Sequence, residues 1–210
     1  MKETKQKERK LSEAELKRKV KFEQLTDKLV AEGYTPNHIT MTALEANMYA
    51  VVAALPFIIL LVLAYVLVVK ELSFNMKDFW IAYFLFIVFV VVHELIHGVT
   101  WVMFCEDRFK SISFGFIKEY LTPYCTCSQP MKKYQILIGS LMPTIILGFI
   151  LGVVSILTSS QMLLIVSVLN ILGGGGDLMV TFKLLKYKSP SKDTLFIDHP
   201  YEIGTAVFEK

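Results

Sequence analysis

Three long stretches of the chain carry almost no charge, and they limit its possible folds more than any other feature. Residues 48–69 and 134–176 contain no charged residue, and residues 79–105 contain only Glu94. About 20 residues of helix cross the roughly 30 Å hydrocarbon core of a bilayer. Each stretch is long enough to do so, and the sequence therefore predicts an integral membrane protein.

The composition supports this interpretation because the charged residues are segregated from the apolar ones. Hydrophobic residues make up 54% of the 210 residues, while 20% are charged. A small disulfide-stabilised secreted domain and a disordered chain are both poor fits. The formal net charge of +3 is too small and too dispersed to favour nucleic acid as a partner.

The longest uncharged stretch must contain two helices, because about 43 residues of helix would be twice as long as a bilayer is thick. The polar residues 158–161 divide it. We therefore predict four transmembrane helices, at residues 48–69, 78–104, 134–157 and 162–185. Residues 1–47 lack the apolar core of a signal peptide, so the first helix is expected to be an uncleaved signal anchor.

The distribution of Lys and Arg predicts the orientation. Residues 1–47 hold ten of them, 70–77 two, 105–133 five, 158–161 none and 183–210 five. This alternation places both termini and the long middle loop in the cytoplasm, with the bilayer as a partner. The expected location is therefore a plasma membrane, with both termini on its cytoplasmic side.

The chain divides into residues 1–47, a transmembrane domain at 48–185 and a cytoplasmic tail at 186–210. In the first segment, Ser12 and Glu15 form a capping box, and Gly33 would end an amphipathic helix. Residues 34–37 are expected to turn the chain. The helix would lie on the membrane surface or dock on the middle loop.

The middle loop, residues 105–133, is predicted to form a β-hairpin. Residues 111–117 alternate in polarity, and residues 121–127 would pair with them, with Pro123 confining that strand to an edge or a bulge. The predicted fold is an all-α membrane protein with four transmembrane helices, this cytoplasmic hairpin-like loop and the N-terminal amphipathic helix. The chain has three cysteines, Cys105, Cys125 and Cys127. They are expected to be ordinary free thiols.

The second apolar stretch contains the sequence HELIH at residues 93–97, an H-E-x-x-H pattern. His93 and His97 are four residues apart, so on a helix they share a face and can bind one zinc ion. Glu94 beside them can accept a proton from water and pass it to a leaving amine. Such polar residues are costly inside a membrane helix, which favours a functional role over an interhelical hydrogen-bonded triad.

A zinc site of this kind needs a third protein ligand, and Asp177 is the best candidate. It is the only acid in the last two predicted helices, and it follows four glycines that would weaken or unwind the helix. His97 and Asp177 lie at equal depth, about 12–13 Å from the cytoplasmic ends of their helices. The alternatives are that Asp177 only packs helices, or that Asp198 or His199 is the ligand. Asn170 could reach the same cavity or form an interhelical hydrogen bond.

These motifs resemble the site-2 protease class of intramembrane zinc metalloproteases. They resemble more closely a group of short bacterial membrane proteins described as putative zincin peptidases. The resemblance covers about residues 80–200 and includes the Pro143-containing helix and the Asp198-His199-Pro200 sequence. In the site-2 class the distal aspartate usually precedes glycine, whereas here the glycines precede Asp177 and Leu178 follows it.

The resemblance implies a zinc-dependent endopeptidase that cleaves a membrane protein or peptide at or within the membrane. His93, His97 and Asp177 would hold Zn²⁺, and Glu94 would be the general base and acid. The alternative is a non-catalytic membrane protein, such as a metal sensor, an immunity protein, a scaffold or a pseudoprotease. Nothing in the sequence indicates the substrate's identity or the oligomeric state.

Overall fold

The computed structural model describes residues 11–72, 75–117, 122–191 and 193–210. The first ten residues of the predicted N-terminal segment lie outside this part of the chain. So does Leu121, at the start of the second predicted hairpin strand. Most of the described chain is helical, and two small antiparallel sheets complete it.

The N-terminal helix α1 spans Glu13–Ala31 and begins with the predicted capping box, in which Glu15 N–H donates to the Ser12 hydroxyl. Gly33 follows the helix with a positive φ of 91°, as expected of a glycine just beyond a helix end. The helix docks on a sheet through Phe22, Leu25 and Leu29. The predicted amphipathic helix is therefore confirmed as a helix, and its apolar contact is with protein.

The apolar stretches form long helices at the predicted positions. Their bounds are α2 Ala43–Val69, α3 Met76–Val102, α4 Lys133–Pro143, α5 Leu151–Leu157, α6 Gln161–Gly173 and α7 Gly175–Lys186. A π-helical segment, Thr144–Ile150, joins α4 to α5 directly after Pro143, which has no N–H to donate.

Three of these helices are long and apolar enough to cross a membrane: Leu44–Val69, Met76–Val102 and the continuous Lys133–Leu157. The pair α6 and α7 would be a fourth, and it bends by 48° at Gly174. The predicted effect of the four glycines on this helix is confirmed by that break. Insertion into a membrane stays a prediction. It is favoured by exposed apolar side chains such as Leu67, of which 74% is accessible.

The middle loop forms the hairpin that the sequence predicts. Strand β2, Ile112–Ile117, pairs antiparallel with β3, Thr122–Cys127. Pro123 lies opposite Phe116, and β3 pairs with β2 alone, in keeping with an edge position for proline. The hairpin rests on α3 at Gly98, where a Cβ would come within 2.5 Å of the Phe114 ring.

The sequence does not predict the second sheet, so the all-α description is wrong in this respect. Its strands are β1 Thr35–Met41, β4 Thr194–Asp198 and β5 Ile203–Glu209, in the order β1-β5-β4. The expected turn at residues 34–37 is part of β1, and the expected tail supplies β4 and β5. β1 becomes a strand by pairing with a segment about 170 residues later, which local patterns cannot reveal.

The two sheets meet the ends of α3, α4 and α7 at one end of the molecule. Met131, just before α4, exchanges two backbone hydrogen bonds with Phe196 of β4, at 2.7 and 2.8 Å. Beneath them a buried cluster includes Trp101, Cys127 and Leu184. This packing fixes the β-structure over the half of α3 that carries the two histidines.

Candidate metal centre

Helix α3 carries His93 and His97 on the same face, as the four-residue spacing predicts. Their Nε2 atoms lie 3.1 Å apart. Both side chains are largely buried, with 12% and 6% of their surfaces accessible. The two rings are therefore held together with their nitrogens directed at one point.

Helix α7 brings Asp177 to the same point. Its Oδ2 atom lies 3.0 Å from His93 Nε2 and 3.5 Å from His97 Nε2. Within the described part of the chain, these are the three His, Cys, Asp or Glu side chains whose ligand atoms lie within 4.8 Å of one another. The alternative ligands Asp198 and His199 are not in this group.

The three donor atoms fit a zinc ion. Ligands at 2.0–2.1 Å from a tetrahedral centre lie about 3.3 Å from one another. The three separations here are 3.0, 3.1 and 3.5 Å. Two imidazole nitrogens and one carboxylate oxygen also form a donor set that suits zinc and leaves a fourth position for water or substrate.

The orientation of His97 is set by two residues, one on α4 and one on its own helix. Its Nδ1 atom lies 2.8 Å from the carbonyl oxygen of Gly139 on α4, to which an N–H can donate. The Trp101 indole stacks on the imidazole at 5.2 Å, with 15° between the planes. An Nδ1–H bond to a carbonyl leaves Nε2 unprotonated and free to bind metal.

Close packing makes Gly139 obligatory, because a Cβ there would overlap the Trp101 indole. Trp101 follows His97 by four residues and so lies on the same helical face, a relation visible in the sequence. Gly139 gives no such signal, because only the packing of α4 against α3 brings it to the site.

Glu94 lines a cavity of about 730 Å³ that also contains the three candidate ligands. Its carboxylate faces the backbone N–H of Cys125 on β3. The hairpin therefore covers the H-E-x-x-H sequence directly. The cavity gives both the carboxylate and the candidate metal position access to a bound molecule.

The cavity has two different sides. Helices α2, α3, α4, α6 and α7 form one side, while α1, the hairpin and the turn between β4 and β5 form the other. We call this second side the cover. Arg18 of α1 joins its parts, because its Nε donates to the carbonyl of Pro200 at 3.2 Å and its guanidinium lies 4.7 Å from the Tyr124 ring centre.

The Asp198-His199-Pro200 sequence forms part of this cover. Burial raises the pKa of Asp198 to about 7, although the Thr126 hydroxyl and the Cys127 N–H donate to its carboxylate. Burial lowers the pKa of His199 to about 4. The His199 ring accepts the Glu202 N–H at Nδ1, 3.0 Å away, and packs against Phe22.

Asn170 does not reach the cavity, and that expectation is wrong. Its side-chain N–H₂ donates to the carbonyl of Val166 in its own helix, at 2.8 Å. This bond lies within α6, and the described residues show no interhelical hydrogen bond from the Asn170 side chain. The three cysteines are buried free thiols, as expected, and burial raises the pKa of Cys125 and Cys127.

Fold and site together define a helical protein with membrane-length apolar helices and a candidate His-His-Asp metal centre beside a glutamate. A family described as "Putative zincin peptidase" matches residues 85–191, just over half of the chain, including every candidate ligand and Glu94. The chain belongs to that family. No curated protein and no solved structure matches it.

Proposed function

We propose that this protein is a zinc-dependent endopeptidase of the H-E-x-x-H type that cleaves peptide bonds at or within a membrane. The observation that carries this proposal is the convergence of His93, His97 and Asp177 at zinc-ligand distances. Glu94 adjoins them in the same cavity. The family description, a zincin peptidase, supports the same chemistry.

Each residue has a separate task. His93, His97 and Asp177 would hold the ion, and the Gly139 carbonyl would keep Nε2 of His97 available to it. A bound zinc ion supplies Lewis acidity, which lowers the pKa of a water molecule to about 7. Glu94 would accept the proton of the attacking water and return it to the leaving amine. The hairpin would cover one side of the motif, through the contact of Glu94 with the Cys125 N–H.

A membrane setting follows from the helices, of which three or four could span a bilayer. The cover lies at the end of the molecule that Lys and Arg counts assign to the cytoplasm. We propose a resemblance in mechanism to the site-2 protease class, with a substrate segment extended along a free edge of the hairpin, whose strand β3 lines the cavity. The hairpin is a two-stranded sheet among the described residues, so each of its strands has an edge without a strand partner.

The test compares zinc content and peptide cleavage in the wild type, Glu94→Gln and Glu202→Gln, each purified in detergent. Glu94→Gln is expected to keep one zinc and lose cleavage, because the amide cannot accept the proton. Glu202 lines the same cavity from the cover and serves as the matched control, expected to keep both properties.

Retained cleavage in Glu94→Gln would overturn the role of Glu94. A wild type that binds no zinc under metal-replete conditions would overturn the proposal as a whole. A wild type that binds zinc but cleaves no peptide from a library of membrane segments would favour a non-catalytic metal protein.

A further inference from the structure

The four consecutive glycines at the break between α6 and α7 have different surroundings. Gly174 and Gly175 are needed for packing. A Cβ on Gly174 would overlap the Thr144 hydroxyl, and one on Gly175 would overlap the backbone carbonyl of Ala50 on α2. Gly174 thus lets the bend lie against the π-helical segment and Gly175 lets α7 lie directly against α2, which together place Asp177 beside the two histidines.

Gly176 is different because a Cβ there would meet no atom within 4 Å. Packing does not explain this glycine, and glycine destabilises a helix relative to alanine. Gly176 lines the cavity and directly precedes Asp177. A side chain at this position would therefore occupy open space in the cavity that also contains the candidate ligands.

The cavity wall near this space is mostly apolar. Ala50 and Val51 contribute from α2, together with Asn47, and Leu172 and Gly173 contribute from α6. Gly175, the residue before Gly176, lies directly against the backbone of Ala50. An aliphatic group in this space would therefore contact mainly apolar side chains, with Asn47 as a polar neighbour.

We propose that Gly176 is a specificity-determining residue, whose missing side chain leaves room for an aliphatic side chain of the substrate next to the cleaved bond. This inference rests on the proposed zinc peptidase function and assigns it a substrate class, peptides with an apolar residue at the cleavage site. A larger residue at position 176 fills the space without touching the metal ligands.

The experiment uses the full chain in detergent, loaded with zinc, and measures binding by calorimetry. Acetohydroxamate chelates zinc and has no side chain, whereas leucine hydroxamate adds an aliphatic group. Wild type is expected to bind leucine hydroxamate more tightly than acetohydroxamate. In Gly176→Val, leucine hydroxamate should lose at least about tenfold in affinity, the scale of a few methylenes in an apolar pocket. Acetohydroxamate affinity should stay within about twofold.

Two further variants distinguish the possible results. Gly176→Ala adds one methyl group and should show a smaller loss in the same direction. Gly175→Ala should lower thermal stability because it pushes α2 away, and Gly176→Ala should not. If Gly176→Ala or Gly176→Val unfolds, the position is not open and the proposal is overturned.

The outcome also separates this proposal from the one on which it rests. If acetohydroxamate does not bind the wild type, the zinc function fails and the substrate pocket fails with it. If acetohydroxamate binds both proteins and Gly176→Val still prefers leucine hydroxamate as the wild type does, only the role of Gly176 is overturned.

Discussion

The two sides of the cavity are built by different means. The helical side presents the candidate ligands from α3 and α7, which touch their neighbours through glycines such as Gly139 and Gly175. The cover is assembled from α1 and two small sheets through hydrogen bonds between side chains and backbone and through ring contacts. The comparison teaches that the candidate ligands depend on close helix packing, whereas the cover depends on contacts between separate parts of the chain.

The largest expected effect compares one histidine from each side. His97→Ala should weaken zinc binding by more than about 100-fold. Mutating a residue that only hydrogen-bonds to a zinc ligand already lowers metal affinity by about 10–100-fold. His199→Ala should leave zinc affinity nearly unchanged. Titration against a competing chelator measures both. An equal loss in His199→Ala would make His199 a ligand and remove the distinction between the two sides.

The second effect tests the glycine contacts of the helical side. Gly139→Ala should displace Trp101 and the carbonyl that orients His97, and zinc affinity should fall by about 10–100-fold. Gly173→Ala is the matched control, since the nearest atom to its Cβ would be Phe86 at an ordinary 3.5 Å. Similar affinities for the two variants would show that close packing does not set the metal site.

The third effect concerns the cover and depends on pH. Because the pKa of folded His199 is about 4 and that of an unfolded histidine is about 6.5, the unfolded chain binds the proton first as pH falls. The contribution of His199 to the free energy of unfolding is therefore complete above pH 6.5. It is lost as the pH falls toward 4, by about 3 kcal/mol in total. Urea unfolding of the wild type and His199→Phe at both pH values gives the difference. Identical pH dependence in the two proteins would contradict this account.

The smallest effect is expected for the contact that joins the parts of the cover. Arg18→Ala removes one hydrogen bond and one cation–π contact, and it should lower the free energy of unfolding by about 1 kcal/mol. Lys17→Ala removes the same charge from an exposed neighbour and should have no measurable effect. A loss as large as that from the His199 variant would show that Arg18 supports more of the cover than these two contacts.

Sequence reasoning succeeds where a local pattern fixes the geometry. Four-residue spacing places His93 and His97 on one face, and uncharged length predicts the helices. The position of Asp177 follows from equal depth on two apolar helices, and the structure brings it to the two histidines. Its role as a ligand stays a prediction.

Prediction from the sequence fails where the partner is distant in the chain. The strand character of residues 35–41 comes from pairing with β5, because Pro36 and Asn37 do not favour a strand by themselves. The role of the Gly139 carbonyl cannot be read from the sequence for a similar reason. Every residue has a backbone carbonyl, and only the packing of α4 against α3 brings this one to His97. The prediction that Asn170 reaches the cavity fails because its side-chain amide donates to the Val166 carbonyl, one turn earlier on its own helix.

The pairing of β1 with β5 also sets an order of events during synthesis. The ribosome completes β1 before any of the apolar helices, but the strand between β1 and β4 is made only after α7. The histidines, Glu94 and Asp177 are therefore synthesised before the central strand of the cover. The β1-β5-β4 sheet, and with it that side of the cavity, cannot form until β5 has been translated.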